Sequence, residues 1–247
     1  MIEHAEDVSL AAGAVMREGV TSTRLGLAGM PAAAESVCVA RDVQLADLTG
    51  ARLHIAHLSA KGSLEQVRAA KQRGLRVSCE VTPHHFTLID EDVQYDSCYK
   101  MNPPLAARED RDALLAGLAD GTVDALATDH APHEPALKDV EFDRAPFGIL
   151  GFETALALSL EQLVHSGRIS LMRLVELFTT GPARVLGIER QLAKGQPADV
   201  TIFSTDHSWT YNVGESPSKS RNSPFDKRTF RGAAMATIVG GRVVYKN

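Results

Sequence analysis

The sequence predicts an α/β protein whose chain ends in a small β-domain. From residue 51 onward, short β-rich runs alternate with segments of helical periodicity, a pattern typical of parallel strands joined by crossover helices. Glycines such as Gly74 and Gly121 stand where the intervening helices should end. The last segment alternates apolar and polar residues instead. We therefore predict a first domain over 1–194 and a β-domain over 195–247.

The central part of the chain repeats a strand–helix–strand unit. In its clearest copy, the strand ARLHIAHLS precedes a helix that begins with a capping box of Ser63 and Gln66 and ends at Gly74. The predicted strands of this part cover 51–59, 75–82 and 123–130, and a further helix covers 111–121.

Helices flank this repeat, and strands close the chain. Upstream, residues 6–18 and the stretch from Pro31 to Leu48 have helical spacing, with Pro31 as a first helical residue and Gly50 as a stop. Downstream, the predictions are helices over 151–166, 170–179 and 182–186 and strands over 197–203, 207–211 and 236–245. Gly240–Gly241 suits a tight hairpin turn, and the Ser-, Pro- and Asn-rich segment 216–225 is predicted to be an exposed loop.

Composition excludes several classes of function. The 247 residues contain 26 Lys plus Arg against 31 Asp plus Glu, a net charge of -5, and no basic tract that would suit nucleic acid. No apolar run approaches the roughly 18 residues that span a bilayer, and the N-terminus lacks a signal-peptide pattern. The chain has three cysteines, an odd number without the spacing of a metal site, and this pattern favours reduced thiols. We therefore expect a cytoplasmic protein with no nucleic-acid or membrane partner.

Three short clusters place metal-ligand residue types at predicted strand ends. They are HAED (4–7), HIAHLS (54–59) and ATDHAPH (127–133). Barrel enzymes hold their active sites at the carboxyl ends of strands. Zinc binds neutral imidazole nitrogens and carboxylate oxygens, and a catalytic site leaves one position open for water. His4, His57 and Asp129 match that set.

The residues also carry a resemblance to a known family. Seven strings occur in that family's order and at about its spacing: HAED, IAHLSAKGS, EVTPHHFTL, KMNPPL, ATDHAPH, KDVEFDRAPFGILGFETAL and SKSRNSPF. The chain resembles the dihydroorotases of the bacterial class I type, within the amidohydrolase superfamily, through almost its whole length.

The resemblance implies roles for individual residues. His4 and His57 look like the pair that ligates one of two catalytic zinc ions, and Asp129 looks like a ligand of the other zinc and the catalytic acid/base. Four positions are similar to the family's substrate contacts: Asn102, His133, Phe147 and Gly148. The remaining histidines near these motifs are interpreted as structural or supporting residues: His54, His84, His85 and His130.

The resemblance further implies a zinc-dependent, reversible hydrolysis of the cyclic amide of dihydroorotate to N-carbamoyl-aspartate, a step of pyrimidine biosynthesis. A complete barrel takes roughly 250 residues, more than the 194 predicted for the first domain. The family's H-x-H pair has no counterpart in this sequence, and Ala106 stands where the family commonly has Arg. We therefore expect a partial TIM-like metal-dependent hydrolase barrel, about its last four strands, from a truncated chain. An open half-barrel would expose an apolar face and unpaired strand edges, so we expect copies of the chain to form a homo-oligomer.

Two alternatives stay open. A related cyclic amidohydrolase, such as an allantoinase or a hydantoinase, shares the zinc chemistry and differs in substrate. A non-catalytic dihydroorotase-like scaffold would instead bind a partner such as aspartate transcarbamoylase, and the missing H-x-H pair favours this interpretation for the isolated chain.

Overall fold

The computed structural model describes residues 1–189 and 191–247 as an α/β fold that ends in an antiparallel sheet. In chain order its strands are β1 (Ile2–Glu3), β2 (Met16–Arg17), β3 (Gly29–Met30), β4 (Leu53–Ile55), β5 (Val77–Val81), β6 (Ala125–Leu126), β7 (Val200–Thr210), β8 (Thr229–Val239) and β9 (Arg242–Lys246).

Helices connect and cover these strands. They are α1 (Val20–Leu25), α2 (Ala33–Thr49), α3 (Lys61–Gln72), α4 (Arg108–Asp120), α5 (Pro135–Lys138), α6 (Ala155–Ser159), α7 (Leu171–Phe178) and α8 (Thr180–Leu186), and a π-helical segment, Leu160–His165, continues α6. Within the described residues, every helix is too short or too polar to span a bilayer.

The first sheet is parallel and four-stranded, in the order β1-β4-β5-β6. Its register pairs Ile2 with His54 and His54 with Ser78, and farther along it pairs Glu80 with Ala125. Since all four strands run in one direction, the segments that follow them emerge at one edge of the sheet. That edge determines where the candidate functional residues meet.

The two faces of this sheet differ in character because successive side chains of a strand point to opposite sides. One face packs against the surrounding helices in the main core, with fully buried residues such as Ile55, Cys79 and Leu118. The other face carries a polar group in which the His54 Nδ1 atom lies 2.8 Å from Ser78 Oγ and its Nε2 atom lies 3.2 Å from a Glu80 carboxylate oxygen.

The terminal sheet is antiparallel, in the order β7-β8-β9. The predicted hairpin turn at Gly240–Gly241 is confirmed, since both glycines have a positive φ between β8 and β9. A second core cluster, which includes Leu158 of α6, Phe225 and Phe230, joins this sheet to the rest of the chain. The domain boundary at 194/195 stays a prediction.

The predicted helix over 6–18 is wrong. The Asp7 carboxylate accepts hydrogen bonds from the backbone N–H groups of Ser9 and Leu10, at 2.9 and 3.2 Å, and from the Ser9 hydroxyl. Such local bonds give the backbone an alternative to helical pairing, and Gly13 adds a left-handed turn at φ 71°. The segment forms turns that lead into β2.

The predicted capping box at Ser63 is also wrong. Helix α3 begins at Lys61, and the Lys61 backbone N–H donates to the Asp110 carboxylate at 2.9 Å. Ser63 is fully buried inside the helix, while the Gln66 amide donates to the backbone of Ser36. The cap of α3 thus comes from α4, a contact between residues far apart in the sequence. Gly74, by contrast, follows the helix in the left-handed conformation as expected.

Other boundaries differ locally. Helix α2 begins two residues after Pro31 and ends at left-handed Gly50. The strands predicted over 197–203 and 207–211 are one strand, β7, with a bulge where the Ser204 hydroxyl accepts two backbone N–H groups. The segment 216–225 is not a solvated loop, because its members Ser220, Asn222, Ser223 and Phe225 are buried.

Candidate active site

The predicted metal-ligand residues follow separate strands at the same edge of the parallel sheet. His4 comes directly after β1, His57 two residues after β4, and Asp129 three residues after β6. Parallel pairing aligns the carboxyl ends of these strands, so residues 125 positions apart in the sequence are brought to one place.

His4 and His57 are in direct contact. The Nδ1 atom of His4 lies 3.0 Å from the Nε2 atom of His57, and the two rings meet edge to face with centroids 4.7 Å apart. The Nδ1 atom of His57 is buried and has no hydrogen-bond partner in the part of the chain that the structure describes. The resemblance assigns these two residues to one zinc ion, and that ligand role stays a prediction.

Glu6 and Asn102 determine how His4 is oriented. A carboxylate oxygen of Glu6 lies 3.2 Å from His4 Nε2 and accepts a hydrogen bond of 2.8 Å from the Asn102 side-chain amide. A carboxylate accepts only, so it favours the tautomer with the proton on His4 Nε2. The lone pair of His4 Nδ1 then points toward His57, as a ligating imidazole requires.

Backbone conformation distinguishes two of these residues. His57 has φ 32° and Asp129 has φ 43°, both in the left-handed region that side chains other than glycine rarely adopt. Such conformations cost on the order of 1–3 kcal/mol and persist where the surrounding structure holds them. Their occurrence at two of the three predicted ligands supports a functional site at this edge.

Burial changes the proton affinities of both residues. Burial lowers the pKa of His57, with a further lowering from His4 and an opposing rise from Asp129. Burial raises the pKa of Asp129, while His57 and His4 oppose that rise. The charge of each residue thus changes the pKa of the other, and both residues follow strands at the same edge of the sheet. Burial favours neutral imidazoles, the form that binds metals.

These donors fit part of a zinc site. Two imidazole nitrogens that face each other at 3.0 Å, with one tautomer set by a carboxylate, match the kind of ligand that zinc takes. Among the residues that the structure describes, no group of three His, Cys, Asp or Glu side chains is close enough to hold an ion together. The ligand role of Asp129 therefore stays a prediction.

The predicted substrate residues form a second group around Asn222. The His133 Nε2 atom lies 2.7 Å from the Phe147 carbonyl oxygen, and the His133 backbone N–H donates to the Asn222 side chain at 3.2 Å. The Asn222 amide nitrogen donates to the carbonyls of Ala131 and Gly148 at 2.8 and 3.0 Å. His133, Phe147 and Gly148 are thus held together, whereas Asn102 belongs to the His4 group.

Gly148 is a position where the backbone leaves no room for a side chain. Its φ is +148°, and an added Cβ would lie 2.8 Å from the Ala131 carbonyl oxygen and from His133 Nε2. The Gly148 N–H donates to the Lys100 carbonyl at 2.8 Å, which brings the Asn102 loop beside the His133 group. The two groups of predicted substrate contacts therefore adjoin one another.

A buried carboxylate holds the loop that carries His57. Glu35, in α2, is 4% exposed and accepts hydrogen bonds from the backbone N–H groups of Ser59 and Ala60 and from the Ser59 hydroxyl. The Ser59 oxygen in turn accepts a 2.6 Å bond from Arg17, which is 2% exposed. This network orients the chain directly after His57.

The model for the amidohydrolase family matches residues 9–244 of this chain. The chain belongs to the amidohydrolase family. A protein of Solibacter usitatus named dihydroorotase is 56% identical over 243 residues, which are 98% of this chain and 56% of that protein. A second dihydroorotase, from Pelotomaculum thermopropionicum, is 52% identical over 100% of this chain and 58% of its own length.

Solved structures agree with the family assignment. The L-hydantoinase (dihydropyrimidinase) of Arthrobacter aurescens superposes with a TM-score of 0.88 at 30% identity, over 99% of this chain and 56% of that one. This amidohydrolase therefore spans a little more than half the length of the relatives that it matches.

Three residues of this amidohydrolase site were not predicted from the sequence. Glu6 lies in HAED and Asn222 in SKSRNSPF, yet neither received a role, and Glu35 lies in a helix without a site motif. Glu35 and Asn222 bind backbone atoms that are distant in the sequence, and such contacts leave no local spacing signal. The only available signal was the position of Glu6 and Asn222 inside strings shared with the family.

Two other histidines of this amidohydrolase, His130 and His85, contact backbone or hydroxyl groups. The His130 Nδ1 atom accepts from the backbone N–H groups of Gly151 and Phe152 at 3.1 and 3.3 Å. The His85 nitrogens lie 2.7 Å from the Thr82 hydroxyl and 2.8 Å from the Pro103 carbonyl. Desolvation by burial lowers the pKa of His85 to about 4.

His85 predicts a loss of stability in mild acid. Since its folded-state pKa of about 4 lies below the ordinary 6.5, the unfolded chain binds more protons between these values, and stability falls as pH falls. We expect the free energy of unfolding to drop by about 2 kcal/mol from pH 7 to pH 5 through this group. Urea unfolding of wild type and His85→Gln at both pH values measures the difference.

The His85→Gln variant should be less stable at pH 7 but should lose less stability on acidification. The free energy of unfolding of the variant should still fall as pH falls, because burial also lowers the pKa of His84. An equal pH slope in both proteins would contradict the assignment.

Proposed function

We propose that this chain is part of a dihydroorotase, which hydrolyses the cyclic amide of dihydroorotate to N-carbamoyl-aspartate and catalyses the reverse ring closure. The observation that carries the proposal is the contact of His4 with His57, 3.0 Å apart, at the same sheet edge as the half-buried Asp129. The identity of 48–56% to proteins named dihydroorotase supports the same substrate.

His4 and His57 would hold a zinc ion, with Asp129 as a further ligand. When bound, zinc supplies Lewis acidity that polarises an amide carbonyl and acidifies water. Asp129 would transfer the proton. Its carboxylate takes the proton released by the attacking water and returns it to the ring nitrogen, which departs only when protonated. Burial keeps the proton affinity of Asp129 above that of an exposed aspartate, which suits this transfer.

The His133 group and Asn102 would orient the substrate. If His133 donates its Nε2 proton to the Phe147 carbonyl, its Nδ1 atom is an acceptor for a ring N–H. The amide of Asn102, already aligned by Glu6, lies beside His4 and would contact the carboxylate of the substrate. The backbone of Phe147 and Gly148 closes this side of the site.

We also propose that the parallel sheet is part of a TIM-like barrel, about its last four strands, and that copies of the chain associate. The parallel order β1-β4-β5-β6 and the helices packed on one face support the barrel. The opposite face carries the polar contacts of His54 with Ser78 and Glu80, which suits a face that points into the interior of a barrel. Strand β1 lies at the edge of this sheet, with Met1 and Ile2 exposed, and sheet edges favour association.

A hydantoinase is the alternative that a specific observation favours, since the L-hydantoinase of Arthrobacter aurescens has the same fold at 30% identity. The dihydroorotases are more similar in sequence, at 56 and 52%. We therefore propose dihydroorotate rather than a hydantoin as the substrate.

A hybrid enzyme tests the proposal. This chain would replace the matching 243 residues of the Solibacter usitatus dihydroorotase. We expect the purified, zinc-loaded hybrid to hydrolyse dihydroorotate, to lose activity with a chelator, and to regain it with zinc. The measurement is the loss of dihydroorotate absorbance, with the parent enzyme assayed in parallel.

Two outcomes would contradict the proposal. A folded, zinc-containing hybrid that leaves dihydroorotate unchanged would favour the non-catalytic scaffold. A hybrid that opens hydantoin and not dihydroorotate would favour the hydantoinase alternative.

A further inference from the structure

Two lysines are buried beside the loop that carries Phe147 and Gly148. Lys100, which is 2% exposed, lies two residues before Asn102, and Lys138, which is 7% exposed, is the last residue of α5. Lysine side chains are almost never buried unless a carboxylate pairs with them. Within the described residues, both ammonium groups donate to carbonyl oxygens and neither forms an ion pair. Neither side chain has a role in the proposed reaction.

Both ammonium groups bind one short stretch of backbone. The Lys100 Nζ atom donates to the Asp143 carbonyl at 2.9 Å, and the Lys138 Nζ atom donates to the Pro146 carbonyl at 2.8 Å. The Lys100 Nζ atom also lies 4.8 Å from the centroid of the Phe147 ring. A neutral donor would satisfy the same carbonyls without the free-energy cost of burying a charge. The two positive charges therefore need an explanation of their own.

The peptide group between Pro146 and Phe147 connects Lys138 to the candidate site. Its carbonyl accepts from Lys138, and in a trans peptide the N–H points the opposite way. The Phe147 N–H makes no hydrogen bond within the part of the chain that the structure describes, while the Phe147 carbonyl lies 2.7 Å from His133 Nε2. A cation at the carbonyl polarises the peptide and makes its N–H a stronger donor. Such a donor suits an anionic acceptor.

The charge of the whole chain makes local cations necessary for an anionic ligand. The formal net charge is -5, which repels anions at long range. Desolvation by burial lowers the pKa of Lys138 to about 8, so most of this group stays protonated at pH 7. The acidic residues that affect the pKa values of the two lysines, Asp96 and Asp143, are exposed to solvent. Their charges are therefore screened more strongly than those of the buried ammonium groups.

We propose that Lys100 and Lys138 are specificity-determining residues that select the substrate by its negative charge. This inference rests on the proposed function, in which dihydroorotate carries one carboxylate and N-carbamoyl-aspartate carries two. Neither ammonium group contacts the substrate. Lys138 acts through the peptide between Pro146 and Phe147, and both lysines act through space in a buried environment where charges are weakly screened.

The two substrates differ in charge, and this difference provides the test. Coulomb energy is proportional to the charge of the ligand, so a lost cation weakens the binding of a dianion by about the square of its effect on a monoanion. In the hybrid enzyme, Lys100→Met removes the ammonium group and keeps a long side chain. We expect it to weaken affinity for N-carbamoyl-aspartate about tenfold and for dihydroorotate about threefold, with kcat changed less than about twofold.

The KM values for the two directions of the reaction measure these affinities, and calorimetry measures the dissociation constants directly. Lys138→Met should show the same charge dependence, and it serves if Lys100→Met fails to fold. Lys246→Met is the matched control, because Lys246 is exposed on β9 and its loss should change neither affinity. Thermal unfolding of each variant confirms that it is folded before titration.

Loss of affinity by the same factor for both substrates would overturn the inference, because a purely structural role of the lysines has that effect. Unchanged affinities in the folded lysine variants would overturn it as well. A hybrid that binds both substrates with the expected charge dependence but converts neither would contradict the proposed function and support the inference. A folded, zinc-containing hybrid that binds neither substrate would overturn both.

Discussion

Replacing Asp129 by Asn in the hybrid enzyme is expected to reduce kcat for dihydroorotate hydrolysis by about 10³-fold. Asparagine has nearly the same shape but does not exchange a proton with the ring nitrogen. The effect follows from the position of Asp129 after the carboxyl end of β6, at the sheet edge where His4 and His57 also lie. Steady-state kinetics at saturating dihydroorotate measure it.

The control for this variant is Asp112→Asn, because Asp112 lies on α4 and pairs with Arg111 at 2.6 Å. That variant should retain the kcat of the hybrid. Zinc content must be measured for both proteins, since a lost ligand also lowers activity. Near-full activity in a zinc-replete Asp129→Asn hybrid would refute the proton-transfer role.

Replacing Glu35 by Ala is expected to lower the free energy of unfolding of this chain by about 3–5 kcal/mol. The change removes the acceptor for the N–H groups of Ser59 and Ala60 and for the Ser59 hydroxyl, to which the buried Arg17 guanidinium donates. Buried donors and charges without partners are among the costliest defects in a folded protein. Urea unfolding followed by circular dichroism measures the loss.

Glu65→Ala is the matched control, since Glu65 is exposed on the neighbouring helix α3 and should change stability by about 0.5 kcal/mol or less. The free energy of unfolding of Glu35→Gln, which keeps one acceptor oxygen, should lie between those of Glu35→Ala and Glu65→Ala. If Glu35→Ala were as stable as Glu65→Ala, the network beneath the His57 loop would not hold that loop in place.

The same network connects stability to the site. Glu35 binds the backbone two and three residues after His57, and His57 itself has the left-handed φ of 32°. A residue in such a conformation needs neighbours that hold the chain on either side. We therefore interpret Glu35 as the residue that keeps His57 in contact with His4.

Sequence alone determined the features that depend on local chemistry. Alternating runs predicted the parallel strands, and glycines predicted the ends of α2, α3 and α4, because only glycine adopts a left-handed cap without strain. Helix α7, Leu171–Phe178, lies within the range 170–179 that the sequence predicts as a helix. The metal-ligand residue types at strand ends led to His4, His57 and Asp129.

Tertiary structure decided what depends on partners distant in the chain. Asp110 caps α3 from another helix, and Asn222 becomes buried because it binds the carbonyls of Ala131 and Gly148. The Glu6 carboxylate that contacts His4 also accepts a hydrogen bond from Asn102, which lies 96 positions away in the sequence. Such contacts leave no periodicity in the sequence, because the residues that satisfy one another's hydrogen bonds are neighbours in space and not along the chain.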